Sequence, residues 1–137
     1  MPNRQPRIIV TRYHHERLSA LASAAAETQP EVGLALMDGL SRAKVVAPGK
    51  LGRGVVTMNS RVKYLDEASG EKRVVTVVYP ADEDIEAGRV SVLSPLGAAL
   101  IGLEEGESMT YGVNGGERTI TVTKVQYQPE AHGRHDS

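Results

Sequence analysis

The chain has 137 residues, 40% of them hydrophobic, a formal net charge of −1, and no Cys, Trp or Phe. Without cysteine there are no disulfides and no thiolate metal sites, and the core has to come from Val, Leu, Ile, Ala and a few Tyr. No apolar run approaches membrane-spanning length and MPNRQPRIIV lacks the apolar stretch of a signal peptide, so one cytoplasmic domain, or a domain with a small appendage, is expected.

Charge is zoned along the chain. Residues 1–20 carry four Arg against Glu16, residues 49–80 carry six basic against three acidic side chains, and residues 81–110 carry seven acidic groups against Arg89. Such zoning suits a charged partner surface or solvated loops equally. A nucleic-acid binder would show a dominant basic face with exposed aromatics. This sequence does not, so direct sequence-specific binding to nucleic acid is not expected.

Arg7 to Thr11 is a brief apolar run whose Thr11 is placed to cap a helix. Tyr13 to Glu27 is Ala-rich, with Leu18 and Leu21 on one side, and favours helix. Thr28-Gln29-Pro30 breaks it. Helical spacing resumes from Glu31 to Val46, with Val32, Leu36 (or Met37), Leu40 and Ala43 as an apolar stripe. Two such helices predict an antiparallel hairpin with arms of roughly 15 residues, about 22 Å each.

Ala47-Pro48-Gly49 reads as a junction, after which strand patterns take over. Strands are expected over 55–58, 61–65, 73–79, 89–93, 108–113 and 119–127. The stretch SVLSPLGAALIGLEEGESMTY, Ser91 to Tyr111, organises this part. The chain turns sharply at Ser94-Pro95, and Leu96, Leu100 and Leu103 share the face of a short helix packed on the sheet. The expected organisation is therefore α+β. A helical hairpin over 1–48 precedes an antiparallel β-rich domain with one short helix over 49–129, followed by a flexible tail over 130–137.

Catalytic chemistry finds little support. His14 and His15 are adjacent and cannot face one ligand. His132 and His135 lack a third metal ligand, and all four read as surface or tail histidines. No serine has a triad partner, and Gly52-Arg53-Gly54 and Gly115-Gly116 read as turns rather than phosphate loops. Glu27 and Glu31 flank the hairpin tip, where two acids can hold a hydrated Mg²⁺ but more often are solvated helix ends. No catalytic residue, resident metal or cofactor is expected.

The segments VVTMNSRVKYLDEASGE, VVTVVYPADED, SVLSPLGAALIGLEEGESMTY and VTKVQYQP resemble the regulator of nucleoside diphosphate kinase (Rnk) family. More distantly they resemble the C-terminal domain of the Gre transcript-cleavage factors, and the likeness runs from about residue 7 to Pro129. The resemblance implies an FK506-binding-protein-like (FKBP-like) β domain behind a short antiparallel coiled coil. It also implies a non-enzymatic regulator that binds RNA polymerase near the secondary channel, in competition with Gre factors, and that affects nucleoside diphosphate kinase levels.

In Gre factors the serine-proline corner belongs to the docking surface. Here that corner is Ser94 and Pro95, with Leu96 and Gly97 shaping it and Leu93 where Gre factors are typically polar. Gre factors reach the catalytic Mg²⁺ with a much longer coiled coil. An arm of about 22 Å is too short to bring Glu27 or Glu31 there, so docking without transcript cleavage is expected, with Glu27, Glu31 and Asp38 on or near the hairpin as secondary site candidates. Two other readings are direct regulation of nucleoside diphosphate kinase and peptidyl-prolyl isomerase activity. The isomerase needs an aromatic cup, and this chain offers only Tyr13, Tyr64, Tyr79, Tyr111 and Tyr127, dispersed along it.

Overall fold

The computed structural model describes residues 6–113 and 115–133. A short strand, β1 (Ile9–Thr11), runs directly into helix α1 (Arg12–Ala25), because the Thr11 hydroxyl accepts the His14 backbone N–H at 3.3 Å and closes the first turn. The chain reverses into α2 (Pro30–Ser41), where Pro30 occupies a first-turn position that needs no N–H. Leu18, Ala22 and Ala25 of α1 face Gly33, Leu36 and Leu40 of α2, and all six are buried. The chain approaches itself closely at Gly33, where an added Cβ would lie 2.5 Å from the Ala26 nitrogen. Met37 is not part of the buried stripe; it is exposed, as is Leu34.

The second helix is shorter than the sequence suggests. Lys44–Val46 forms strand β2, parallel to β1 from Ile9↔Lys44 to Thr11↔Val46. Two adjacent β-branched residues favour extended backbone, and β1 offers them a ladder that the helix does not. The helices are 14 and 12 residues long, about 21 and 18 Å from helical rise.

The remaining elements are β3 (Arg61–Asp66), β4 (Glu71–Val78), β5 (Arg89–Ser91), helix α3 (Pro95–Leu100), β6 (Ser108–Val113) and β7 (Gly116–Tyr127). They form an α+β arrangement with few helices and a curled, mostly antiparallel sheet in the order β5-β4-β3-β7-β6. Register shifts in the β3–β7 ladder, at Arg61/Val62 and Lys63/Tyr64, supply irregularities that bend a sheet. The expected all-antiparallel pairing fails at one edge, where β5 runs parallel to β4 from Thr76↔Arg89 to Val78↔Ser91. Pro80 starts a 3-10 turn and a second turn, Ile85–Ala87, follows, so the chain crosses back rather than folding as a hairpin.

Two further expectations are corrected. Residues 55–58 do not form a strand; Val55 makes one isolated bridge to Glu104, and Val55, Val56, Thr57 and Met58 are all buried in an irregular segment. Its backbone is satisfied from outside, as Val56 donates to the Leu103 carbonyl and accepts from Gly102, both at 2.8 Å. Nor does a free tail begin at residue 130. Pro129–His132 forms a 3-10 turn with Glu130 buried, and Gln128 Nε2 donates to the carbonyls of Gly52 and Val55 at 2.8 Å. The rest of the expected tail, with His135, lies outside the described residues. Ile8, Leu18 and Leu36 share one core with Val62, Leu100 and Ile120, so the hairpin rests on the sheet. No helix among the described residues is long and apolar enough to cross a membrane.

The close approach at Gly33 is testable. Gly33→Ala is expected to destabilise by about 1–3 kcal/mol through overpacking. Gly39→Ala, where the new methyl meets Ile8 Cδ1 at an ordinary 3.7 Å, should instead gain up to about 1 kcal/mol of helix propensity. Urea denaturation of the two variants checks both signs.

Candidate docking site

The Ser94-Pro95 corner is built by a set of local hydrogen bonds around Ser91. The Ser94 hydroxyl caps α3 by accepting the Gly97 N–H at 3.1 Å, and donates to the Ser91 carbonyl at 2.6 Å. That carbonyl also accepts the Ser94 N–H at 2.9 Å. The Ser91 hydroxyl accepts the Leu93 N–H at 2.9 Å, and the Ser91 N–H donates to the Glu83 carboxylate at 3.2 Å. Pro95 sits in the first turn of α3, where it forfeits no hydrogen bond. A Cβ on Gly97 would lie 2.0 Å from the Ser91 oxygen, so this corner closes only with glycine there.

These four residues differ in access. Pro95 is exposed, Ser94 and Leu96 are half-buried and Gly97 is buried. The Ser94 hydroxyl is committed to the cap, and Leu93 packs against the core. Pro95 is therefore the most exposed residue of the corner, and its neighbours hold it in place.

The hairpin acids are spread out. Glu27 lies in the turn between the helices, Glu31 in the first turn of α2, and Asp38 farther along it, paired with Arg42 at 3.1 Å. Glu31 and Asp38 line the same groove as Pro95, a space of about 640 Å³ between α2, α3 and β6; Glu27, Ser94, Leu96 and Gly97 do not line it. Among the described residues no three His, Asp or Glu side chains are grouped to hold a metal ion.

Sequence reasoning missed a polar cluster that ties the hairpin to the sheet. His14, expected at the surface, is buried with Nδ1 3.5 Å from Glu130 Oε2. Glu130 Oε1 accepts the Thr57 hydroxyl at 2.6 Å, and the Ser60 hydroxyl lies 2.8 Å from that of Thr57. The signal was present: His14, Leu18, Ala22 and Ala25 follow helical spacing on the buried face of α1. His15 points elsewhere, its Nε2 3.0 Å from the Leu40 carbonyl, and His132 stacks on Tyr127 at 5.0 Å. A second tether is Arg17, whose guanidinium lies 5.3 Å from the Tyr13 ring centroid and 4.9 Å from that of Tyr79. Burial pushes the Tyr79 hydroxyl up in pKa, and Arg17 partly opposes that shift.

Comparison with known proteins adds to this geometry. Residues 6–46 match the family model described as the Rnk N-terminus, and residues 51–127 match the model for transcription elongation factor, GreA/GreB, C-term. The "Regulator of nucleoside diphosphate kinase" of Escherichia coli (strain K12) is 40% identical over 130 residues, covering 94% of this chain and 96% of that protein. A "Transcription elongation factor GreA" of Cereibacter sphaeroides is 42% identical over 88 residues, covering 64% of this chain and 58% of that protein. Among solved structures, a "Prokaryotic transcription elongation factor GreA/GreB from Nitrosomonas europaea" superposes with a TM-score of 0.68 at 35% identity, covering 89% of this chain and 99% of that one.

Two outcomes test the site's construction. Ser94→Ala is expected to cost about 1 kcal/mol through loss of the cap, and Gly97→Ala more, through displacement of the corner backbone; thermal denaturation ranks them. Tyr64, Tyr79 and Tyr111 all have pKa values raised chiefly by burial. A raised folded-state pKa means stability that is complete below the unfolded value, about 10, and is lost as pH rises through the folded value. The Tm is therefore expected to fall at alkaline pH, less steeply in Tyr79→Phe, as followed by circular dichroism.

Proposed function

The chain belongs to the regulator of nucleoside diphosphate kinase family and carries a Gre-type C-terminal region, and on that premise we propose that it is a non-catalytic, cytoplasmic transcription regulator that docks on RNA polymerase near the secondary channel. The observation that carries the reading is Pro95, exposed on a corner whose backbone is fixed by Ser91, Ser94 and Gly97. A rigid exposed proline presents apolar surface with little ordering cost on binding. Ser94, Leu96 and Gly97 act by shaping that surface.

The finer architecture belongs to the same proposal. Residues 49–129 serve as an FKBP-like platform, and residues 1–48 as a short coiled-coil arm at the channel entrance. Docking there sets this protein in competition with Gre factors. Arms of about 18 to 21 Å keep Glu27 and Glu31 from the catalytic centre, so bound protein obstructs the channel without stimulating transcript cleavage. An effect on nucleoside diphosphate kinase then runs through transcription. Direct binding to that kinase is the alternative, and a pulldown with each purified partner separates the two.

Binding to purified core RNA polymerase is the test, with a Gre factor as competitor and Pro95→Asn as the variant. Saturable binding, displaced by the Gre factor and weakened about tenfold or more by the substitution, is the expected result. No binding at micromolar concentration overturns the proposal. In the same preparation, stalled complexes should retain full-length RNA; robust shortening by this protein would refute the obstruction-only mechanism.

A further inference from the structure

We propose that the outer face of the sheet, where β4, β3 and β7 lie side by side, is a binding surface for an extended, acidic polypeptide segment. The proposal goes beyond docking at Pro95 and does not rest on it. It starts from the alternation along β3, in which Val62, Tyr64 and Asp66 are buried and Arg61, Lys63 and Leu65 are more exposed. Successive side chains of a strand point to opposite faces, so the last three share the face turned away from the core.

Register gathers cations on that face. Lys63 stands opposite Lys124 of β7 and Val74 of β4, and Leu65 stands opposite Lys72. The register shift beside Lys63 leaves Lys124 outside, since Val122 and Val125 are buried while Thr123 and Lys124 are exposed. Lys72, two residues from Val74, is the diagonal neighbour of Lys63. With Arg61, four cations occupy three adjacent strands, about 10 Å across at the usual strand spacing.

Like charges directly opposite one another on a sheet are destabilising, and here no acid offsets them. Arg61, Lys63 and Lys72 make no ion pair among the described residues, and Lys124 reaches Glu105 only at 4.0 Å. The same Glu105 oxygen accepts the Val125 N–H at 2.8 Å. The acids of β3 and β4 are taken by arginines, Asp66 by Arg118 and Glu71 by Arg73, each at 2.9 Å. Glu67 accepts the hydroxyls of Thr121 and Ser108, and Glu117, at the far end of β7, lines the groove beside Pro95. The formal net charge of the whole chain is −1, so the positive excess belongs to this face.

The other side chains of the face select the kind of anion. Val74, 43% exposed, and Leu65 lie among the lysines and offer apolar contact. Single-stranded nucleic acid stacks its bases on successive aromatic rings. Among the described residues this face has one, Tyr127 opposite Arg61, and its ring is stacked on His132 at 5.0 Å. Arg61 and Lys63 are two residues apart on one strand, about 7 Å, which is also the repeat at which an extended peptide presents side chains on one of its own faces. Acids at alternate positions of such a peptide meet these cations in step, and charge complementarity of this kind selects an acidic partner over a basic one.

The test uses the full chain and a fluorescein-labelled octapeptide, ETEVETEV, with KTKVKTKV as the charge-reversed control and a labelled oligouridine dodecamer as the nucleic-acid control. Expected results are saturable anisotropy with the acidic peptide, weakening as salt is raised, at least tenfold weaker binding of oligouridine, and no binding of the basic peptide. The double variant Lys63→Gln/Lys124→Gln should lose at least tenfold in affinity, while its Tm at low salt holds or rises because the two charges repel. Lys63→Arg/Lys124→Arg should keep the affinity, as should Lys44→Gln, which removes an exposed cation of β2. No saturable binding at millimolar peptide overturns the proposal. So does oligouridine bound as tightly as the peptide, affinity unchanged or Tm lowered in the double Gln variant, or an equal loss in Lys44→Gln.

Discussion

The seating of the hairpin depends on Glu130, a buried side chain whose Oε1 accepts the Thr57 hydroxyl while its Oε2, without a hydrogen bond among the described residues, lies 3.5 Å from His14 Nδ1. Its two oxygens reach two different parts of the chain: Thr57, in the irregular segment before β3, and His14, in the first turn of α1. The C-terminal turn, the entry to the sheet and the start of the hairpin are thereby held at one point. Leu18, Leu36 and Leu40 supply the apolar burial, and the polar cluster fixes the arrangement in which they pack.

With the base of the hairpin fixed in this way, the groove and the corner become consequences. The face of α2 that carries Glu31, Val32 and Asp38 stands across from β6 because α1 is tethered through His14 and through Arg17 at Tyr79. Pro95 stands at the same groove because α3 is packed between the sheet edge and the hairpin. The corner itself tolerates little adjustment, since Ser91 bonds through its N–H, carbonyl and hydroxyl.

Much of this was legible in the sequence where one local signal decided the outcome. Thr11 as a cap, the break between the two helices at Thr28-Gln29-Pro30, the Ser94-Pro95 turn and the strand at residues 108–113 each depend on a few neighbouring residues, and each stands where the pattern puts it. The misses have a different origin. Val45-Val46 leaves the helix for a ladder with β1, more than thirty residues earlier in the chain. The run Val55 to Met58 is apolar enough for a strand, yet its backbone is satisfied by Gly102 and Leu103 from the far side of α3. The parallel β5 and the buried Glu130 likewise depend on partners distant in sequence. His14 lay within reach, since its four-residue spacing from Leu18 marks the buried face; weighing it as one of an adjacent histidine pair obscured that.

The site divides in the same way. The turn at Ser94-Pro95 follows from local chemistry, whereas the need for glycine at position 97 comes from the closeness of Ser91, which only the structure shows. That Glu31 and Asp38 share a groove with Pro95, whereas Glu27 stands apart at the tip, follows from how α2 lies against α3, which no local pattern encodes. The acids of the hairpin therefore do not form one functional group. Glu27 lies in the turn at the tip, Asp38 is engaged by Arg42, and Glu31 lines a groove that it shares with Glu117 and Pro95.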